Sequence, residues 1–109
     1  MRMTTAYIGK WRITEMEQWD KDFIDEEVPG HFTIRKDGTG SFQFGLVQGE
    51  MDCCNEKTNG RERLDFSWEG LDECDAVSGR GWAEVRGNKM AGRLFFHLGD
   101  SSGFTAVRK

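Results

Sequence analysis

Four small groups of residues carry the side chains that chemistry needs. Asp72-Glu73-Cys74-Asp75 offers carboxylate oxygens to a hard cation such as calcium. It lacks the spaced Asp/Asn positions and closing glutamate of an EF-hand loop, so we read it as a charged loop ended by Gly79. Cys53, Cys54 and Cys74 with a histidine would hold zinc only if distant segments met, and no Cys-x-x-Cys spacing prepares them. Ser78-Gly79-Arg80-Gly81 could turn backbone N–H groups toward an anion, but it is no strand-to-helix phosphate loop, and a structural turn is the reading we adopt. His31 and His97 are the only histidines. His97 stands close to Asp100, Ser101 and Ser102 and could act as a general base. No serine elbow or cysteine motif accompanies it. The expectation is therefore a protein that is not an enzyme, with no catalytic residue, no metal and no cofactor.

Composition narrows the partners. The chain has 109 residues and a net charge of −4, which argues against nucleic acid, since phosphate binding needs a basic surface. Apolar residues make up 37%, and eight Phe with four Trp can anchor one core, so one domain over residues 1–109 is expected. No apolar run approaches the roughly 20 residues of a membrane helix, and no membrane association is expected. Met1-Arg2-Met3-Thr4-Thr5-Ala6 lacks the apolar stretch of a secretory leader. Three cysteines, two of them adjacent, suit reduced thiols in a cytoplasmic protein.

The elements that must position these residues recur about every ten residues, separated by glycine-centred turns. Strand one is expected over about Gly9 to Thr14. Over Glu15 to Glu27, Met16, Trp19 and Phe23 recur at steps of three and four, which predicts a helical turn or two with an acidic opposite face. Val28-Pro29-Gly30 stops it. Phe32 and Ile34 point inward from strand two, and Phe42, Phe44 and Leu46 from strand three. Turns follow at Asp37-Gly38, Gln48-Gly49 and Asn59-Gly60. Strand four is expected over about Glu50 to Asn55, and strand five carries Leu64, Phe66 and Trp68 inward. A long loop from Gly70 to Gly79 precedes strand six, about Arg80 to Arg86. Strand seven runs about Met90 to Leu98 and strand eight Gly103 to Arg108. Short loops make successive strands antiparallel neighbours, and closing strand eight on strand one removes both edges. The expected fold is all-β: a small antiparallel up-and-down β-barrel of about eight strands, with a short helical segment after strand one.

Gly9-x-Trp11 in strand one resembles the calycin superfamily of lipocalin-like and avidin-like barrels. The resemblance implies that Gly9, Trp11 and Arg108 close one end, with Trp11 as plug and Arg108 packed over it. Trp11-Arg12-Ile13…Met16…Trp19-Asp20, Gly70-x-Asp72-Glu73-x-Asp75…Ser78-Gly79-Arg80-Gly81 and His97-x-Gly99-Asp100-x-Ser102-x-Phe104 are similar to a family of short bacterial proteins. That likeness covers most of the chain and implies a calycin-like fold without an activity.

Alternating direction sorts charge between the barrel ends. Loops one, three, five and seven gather the acidic residues, from Glu15 and Asp20 to Asp72 and Asp100, at one open end. The Trp11 end gathers Lys10, Lys36, Arg86 and Lys109. The leading expectation is a non-catalytic module that binds a small apolar or amphipathic molecule at the acidic end. Phe42, Phe44, Phe66, Trp68 and Leu94 would line it, Trp19 and Phe23 would gate it, and His97 would lie near its mouth. The alternative is a structural or protein-interaction domain with a filled core, in which an outward Trp82 or Phe95 marks a homodimer face.

Overall fold

The structure, a computed structural model, describes residues 4–109. Of the segment read for a leader, Met1, Arg2 and Met3 lie outside the described residues. The elements are β1 Gly9–Met16, α1 Lys21–Ile24, β2 His31–Ile34, β3 Thr39–Phe44, β4 Val47–Thr58, β5 Arg61–Asp72, β6 Asp75–Arg86, β7 Lys89–Phe96 and β8 Ser101–Arg108. Each strand pairs antiparallel with the next and β8 pairs with β1, so the sheet is a closed up-and-down barrel. Among the described residues, no helix is long and apolar enough to cross a membrane.

Alternation builds the barrel. Phe32 and Ile34 on β2, Phe42 and Phe44 on β3, and Leu64, Phe66 and Trp68 on β5 are buried, and their strand neighbours are exposed or half-exposed. The register stacks these inward residues side by side: Phe32 opposes Phe42 and Cys53 opposes Phe66. Asn59-Gly60 closes the β4–β5 hairpin with φ of 53° and 78°, the paired left-handed geometry that a two-residue hairpin favours.

Several boundaries differ from those read in the sequence, each for a physical reason. Helix forms only over Lys21–Ile24, and Met16 ends β1. The β1–β8 register shifts between Ile13 and Glu15, so one extra residue there turns Met16 inward three positions after Ile13. A bulge therefore reproduced the spacing of a helix. Leu46 is not an inward β3 residue; it sits in the turn between β3 and β4, and Val47 takes the buried position beyond. With that turn at Gly45-Leu46 rather than Gln48-Gly49, β4 runs 12 residues instead of about six. The expected loop from Gly70 to Gly79 is instead the paired ends of β5 and β6, joined through Glu73-Cys74. Leu98 falls in the β7–β8 turn and is 95% exposed.

Candidate functional site

The molecule offers three places where side chains converge: the Trp11 end, the acidic end with the interior beneath it, and the outer wall of β5 to β7.

At the first end Trp11 is fully buried and its Nε1–H donates to the Tyr7 carbonyl at 2.9 Å. Arg108, the β8 partner of Trp11, lays its guanidinium 4.3 Å from the ring centroid. Its Nη1 and Nη2 donate to the carbonyls of Ile8 and Ala6, each at 2.7 Å. Gly9 has φ +130°, and a Cβ there would stand 2.9 Å from Arg108 Nη1. Burial, with Glu62, Glu84 and Asp65 adding to it, pushes the Tyr7 hydroxyl up to about 12. It stays protonated at neutral pH.

Aromatic rings fill the interior in one connected series. Phe104 and Phe32 have centroids 4.7 Å apart, Phe32 and Phe42 5.5 Å, Phe42 and Trp68 5.0 Å, and Trp68 and Phe96 5.1 Å. Glycines make room for them: a Cβ on Gly81 would stand 2.4 Å from Phe66, and one on Gly49 2.5 Å from Phe42. Large rings over inward glycines are how a narrow barrel is packed with side chains. Leu94 is buried within the same core.

The series continues across the acidic end. Trp19 lies 5.1 Å from Phe44 and 6.1 Å from Phe96, and Phe23 lies 6.0 Å from Trp19. Both are half-buried, so this end is covered by rings rather than open to the interior. Asp20 caps α1 by accepting from the Phe23 N–H. Asp25 then ties the segment down, accepting from Arg12 at 2.9 Å, Lys21 at 2.7 Å and the Gly30 N–H at 2.8 Å. Burial works to raise the Asp25 pKa, but these donors outweigh it and hold the carboxyl below its ordinary range. Glu17 bonds Arg93 at 2.8 Å and is held low chiefly by that contact.

Trp19, Phe23, Phe42, Phe44, Phe66, Trp68 and Leu94 thus share one core, and Gly9, Trp11 and Arg108 meet at the other end. His97 is exposed in the β7–β8 turn, beside Phe95 and Phe96 in a surface groove, with its backbone N–H donating to the Ser78 carbonyl. Ser101 accepts from Arg93, and Ser102 from the Gln18 N–H; among the described residues no side-chain hydrogen bond joins His97 to Asp100 or either serine. His31 turns its Nδ1 to the Pro29 carbonyl. Cys53 points inward, and burial pushes its thiol up to about 12. Cys54 points outward, and Cys74 is exposed at the β5–β6 turn. Among the described residues no group of His, Cys, Asp and Glu is placed to hold a metal ion. Ser78 to Gly81 belongs to β6, with its backbone engaged by β5 and β7.

The outer wall carries what sequence reading only partly found. Trp82 and Phe95 are half-buried and point away from the core, since their neighbours Gly81, Ala83 and Leu94 are buried. The guanidinium of Arg63 lies 5.2 Å from the Trp82 ring and that of Arg80 4.0 Å from Phe95. A shallow groove of about 380 Å³ runs beside Trp82, between Asp52, Ser67 and Arg80. Strand parity flags the rings; their arginines are visible only once the register is known.

Comparison of the chain with known protein families and with curated proteins finds no match.

Proposed function

We propose that this protein is a non-catalytic β-barrel interaction domain that works through the outer wall of β5, β6 and β7. The observation that carries this reading is the contrast between interior and exterior. The interior is occupied from Phe104 to Trp19 by rings in contact. The exterior presents a tryptophan and a phenylalanine, each beneath an arginine. Trp and Arg are the side chains that most often dominate binding energy at protein interfaces. The Trp11–Arg108 closure supports a calycin-like relationship, and three free cysteines suit a cytoplasmic setting.

A second reading has its own support. Trp19 and Phe23 are only half-buried over Phe44 and Phe96, so a small apolar or amphipathic molecule that displaced them would reach buried rings. Such a molecule would gain about 25 cal/mol per Å² of apolar surface covered.

Titration with an apolar fluorescent probe and with a medium-chain fatty acid separates the two. The interaction-domain reading expects no saturable binding. Saturable one-to-one binding that Phe23→Ala weakens would overturn it in favour of the second.

A further inference from the structure

We propose that a cationic groove on the outer face of β1, β2 and β3 binds the phosphate group of a small phosphomonoester. The register sets three polar side chains in one row across that face: Arg12 on β1 opposes His31 on β2, and His31 opposes Gln43 on β3. Their strand neighbours Trp11, Phe32 and Phe42 are buried, so the row points outward. Lys10 stands two residues before Arg12 and shares its face. The Lys109 backbone N–H donates to the Lys10 carbonyl at 2.9 Å, which keeps Lys109 at the edge of the same groove. The groove holds about 340 Å³, the size of a small-molecule site.

Its charge is the reverse of the chain's. The protein carries a net charge of −4, yet no acidic side chain lines this groove among the described residues. Asp25 reaches Arg12 Nη2 but also accepts from Lys21 and the Gly30 N–H, so its charge is committed within its own loop. Glu50 lies one strand further on, opposite Ser41. The Arg12 Nε–H is buried with no acceptor. Such donors are rare in native proteins, and an anion seated against Arg12 would satisfy it.

The donor set favours phosphate over carboxylate. Lys10 brings a point charge and Arg12 a fork, two cations for a group that carries up to two charges and three terminal oxygens. His31 sets its Nδ1 2.9 Å from the Pro29 carbonyl, which leaves Nε2 as its free ring atom. With the proton on Nδ1 alone, Nε2 accepts from a singly protonated phosphate; with both nitrogens protonated it donates to the dianion. A phosphomonoester, with a second pKa of about 6, supplies both forms near neutrality, whereas a carboxylate there has no proton to give. Val28 and Pro29 form an apolar edge for the carbon group of the ester. Lys10 and Lys109 are exposed, so binding is salt-sensitive and weak enough to be lost on purification.

Two-dimensional amide NMR at low salt tests this, with phenyl phosphate, inorganic phosphate and succinate titrated separately into wild type, Lys10→Gln, His31→Gln and, as control, Lys57→Gln at the far β4–β5 hairpin; a dispersed spectrum confirms that each variant is folded. Phenyl phosphate is expected to shift the amides around Lys10, Arg12, His31 and Gln43 saturably, and more tightly than inorganic phosphate or succinate. Lys10→Gln and His31→Gln are each expected to weaken it about five- to tenfold, the worth of one charge-assisted hydrogen bond, and Lys57→Gln to leave it unchanged. No saturable shift, shifts centred elsewhere, or binding that survives both groove substitutions overturns the site. Inorganic phosphate binding as tightly as phenyl phosphate overturns the ester in favour of free phosphate, and succinate binding as tightly overturns phosphate as the ligand class.

Discussion

Trp11 and Arg108 oppose each other across the β1–β8 seam, with the guanidinium 4.3 Å from the indole centroid and two of its nitrogens on the carbonyls of Ile8 and Ala6. One side chain thus covers the ring, fastens the segment before β1 and joins the first strand to the last. Arg108→Ala is expected to lower unfolding free energy by about 2–3 kcal/mol, combining a partly buried cation–π contact with stranded carbonyl acceptors. Arg108→Lys is expected to recover only part, because an ammonium lacks the planar fork that reaches both carbonyls. Urea denaturation measures both.

The inward glycines are as structural as the rings they face. A Cβ on Gly81 would meet Phe66 at 2.4 Å and the Arg93 carbonyl at 2.8 Å. Gly81→Ala is expected to cost about 1–3 kcal/mol by overpacking, and Phe66→Ala about 3–5 kcal/mol by opening a cavity. The double variant is expected to lose less than the sum, since removing the ring admits the new methyl; strict additivity in a thermal or urea series would contradict the contact.

Acidification should loosen the segment over the acidic end. The Asp25 carboxyl is lowered in the folded state by Lys21, Gly30 and Arg12 against the effect of burial, and Glu17 is lowered by Arg93. A folded pKa below the unfolded value gives stability that is present above the unfolded value and lost as pH falls toward the folded one. Stability is therefore expected to decline below about pH 5, where unfolded Asp and Glu begin to protonate. Asp25→Asn should flatten part of that decline; an unchanged slope would remove Asp25 from the account.

The three thiols should differ in reactivity. Cys53 is buried and pushed up to about 12, and Cys54 is raised first by its hydrogen bond to Glu56, whereas Cys74 is exposed. Alkylation at mildly alkaline pH is expected to label Cys74 first, Cys54 more slowly and Cys53 only after unfolding, read by peptide mass spectrometry. Labelling of Cys53 in the folded protein would contradict its inward position.

The barrel was legible in the sequence wherever one face of a strand is buried and the other wet. Leu64, Phe66 and Trp68 alternate cleanly, and Asn59-Gly60 marks its hairpin. Legibility failed where local spacing imitates another element. The shift after Ile13 placed Met16 at a helical interval, and the Gly70–Gly79 stretch, rich in small and charged residues, looked like a loop while both its halves were paired strand. Trp19 and Phe23 were recognisable as apolar residues bound for the barrel end, because that depends only on the loop they occupy. The outer wall was harder. Arg80 read as part of a turn, and nothing in the spacing of Arg63 or Arg93 joins them to it; what makes them a surface is cross-strand register, and register at β6 and β7 depends on where the β5–β6 turn falls.

Native mass spectrometry of gently purified protein tests most directly whether this barrel is filled by its own side chains and acts from outside. The bare chain is the expected result. A small-molecule adduct on the intact protein, lost on denaturation and diminished in Phe23→Ala, would contradict it.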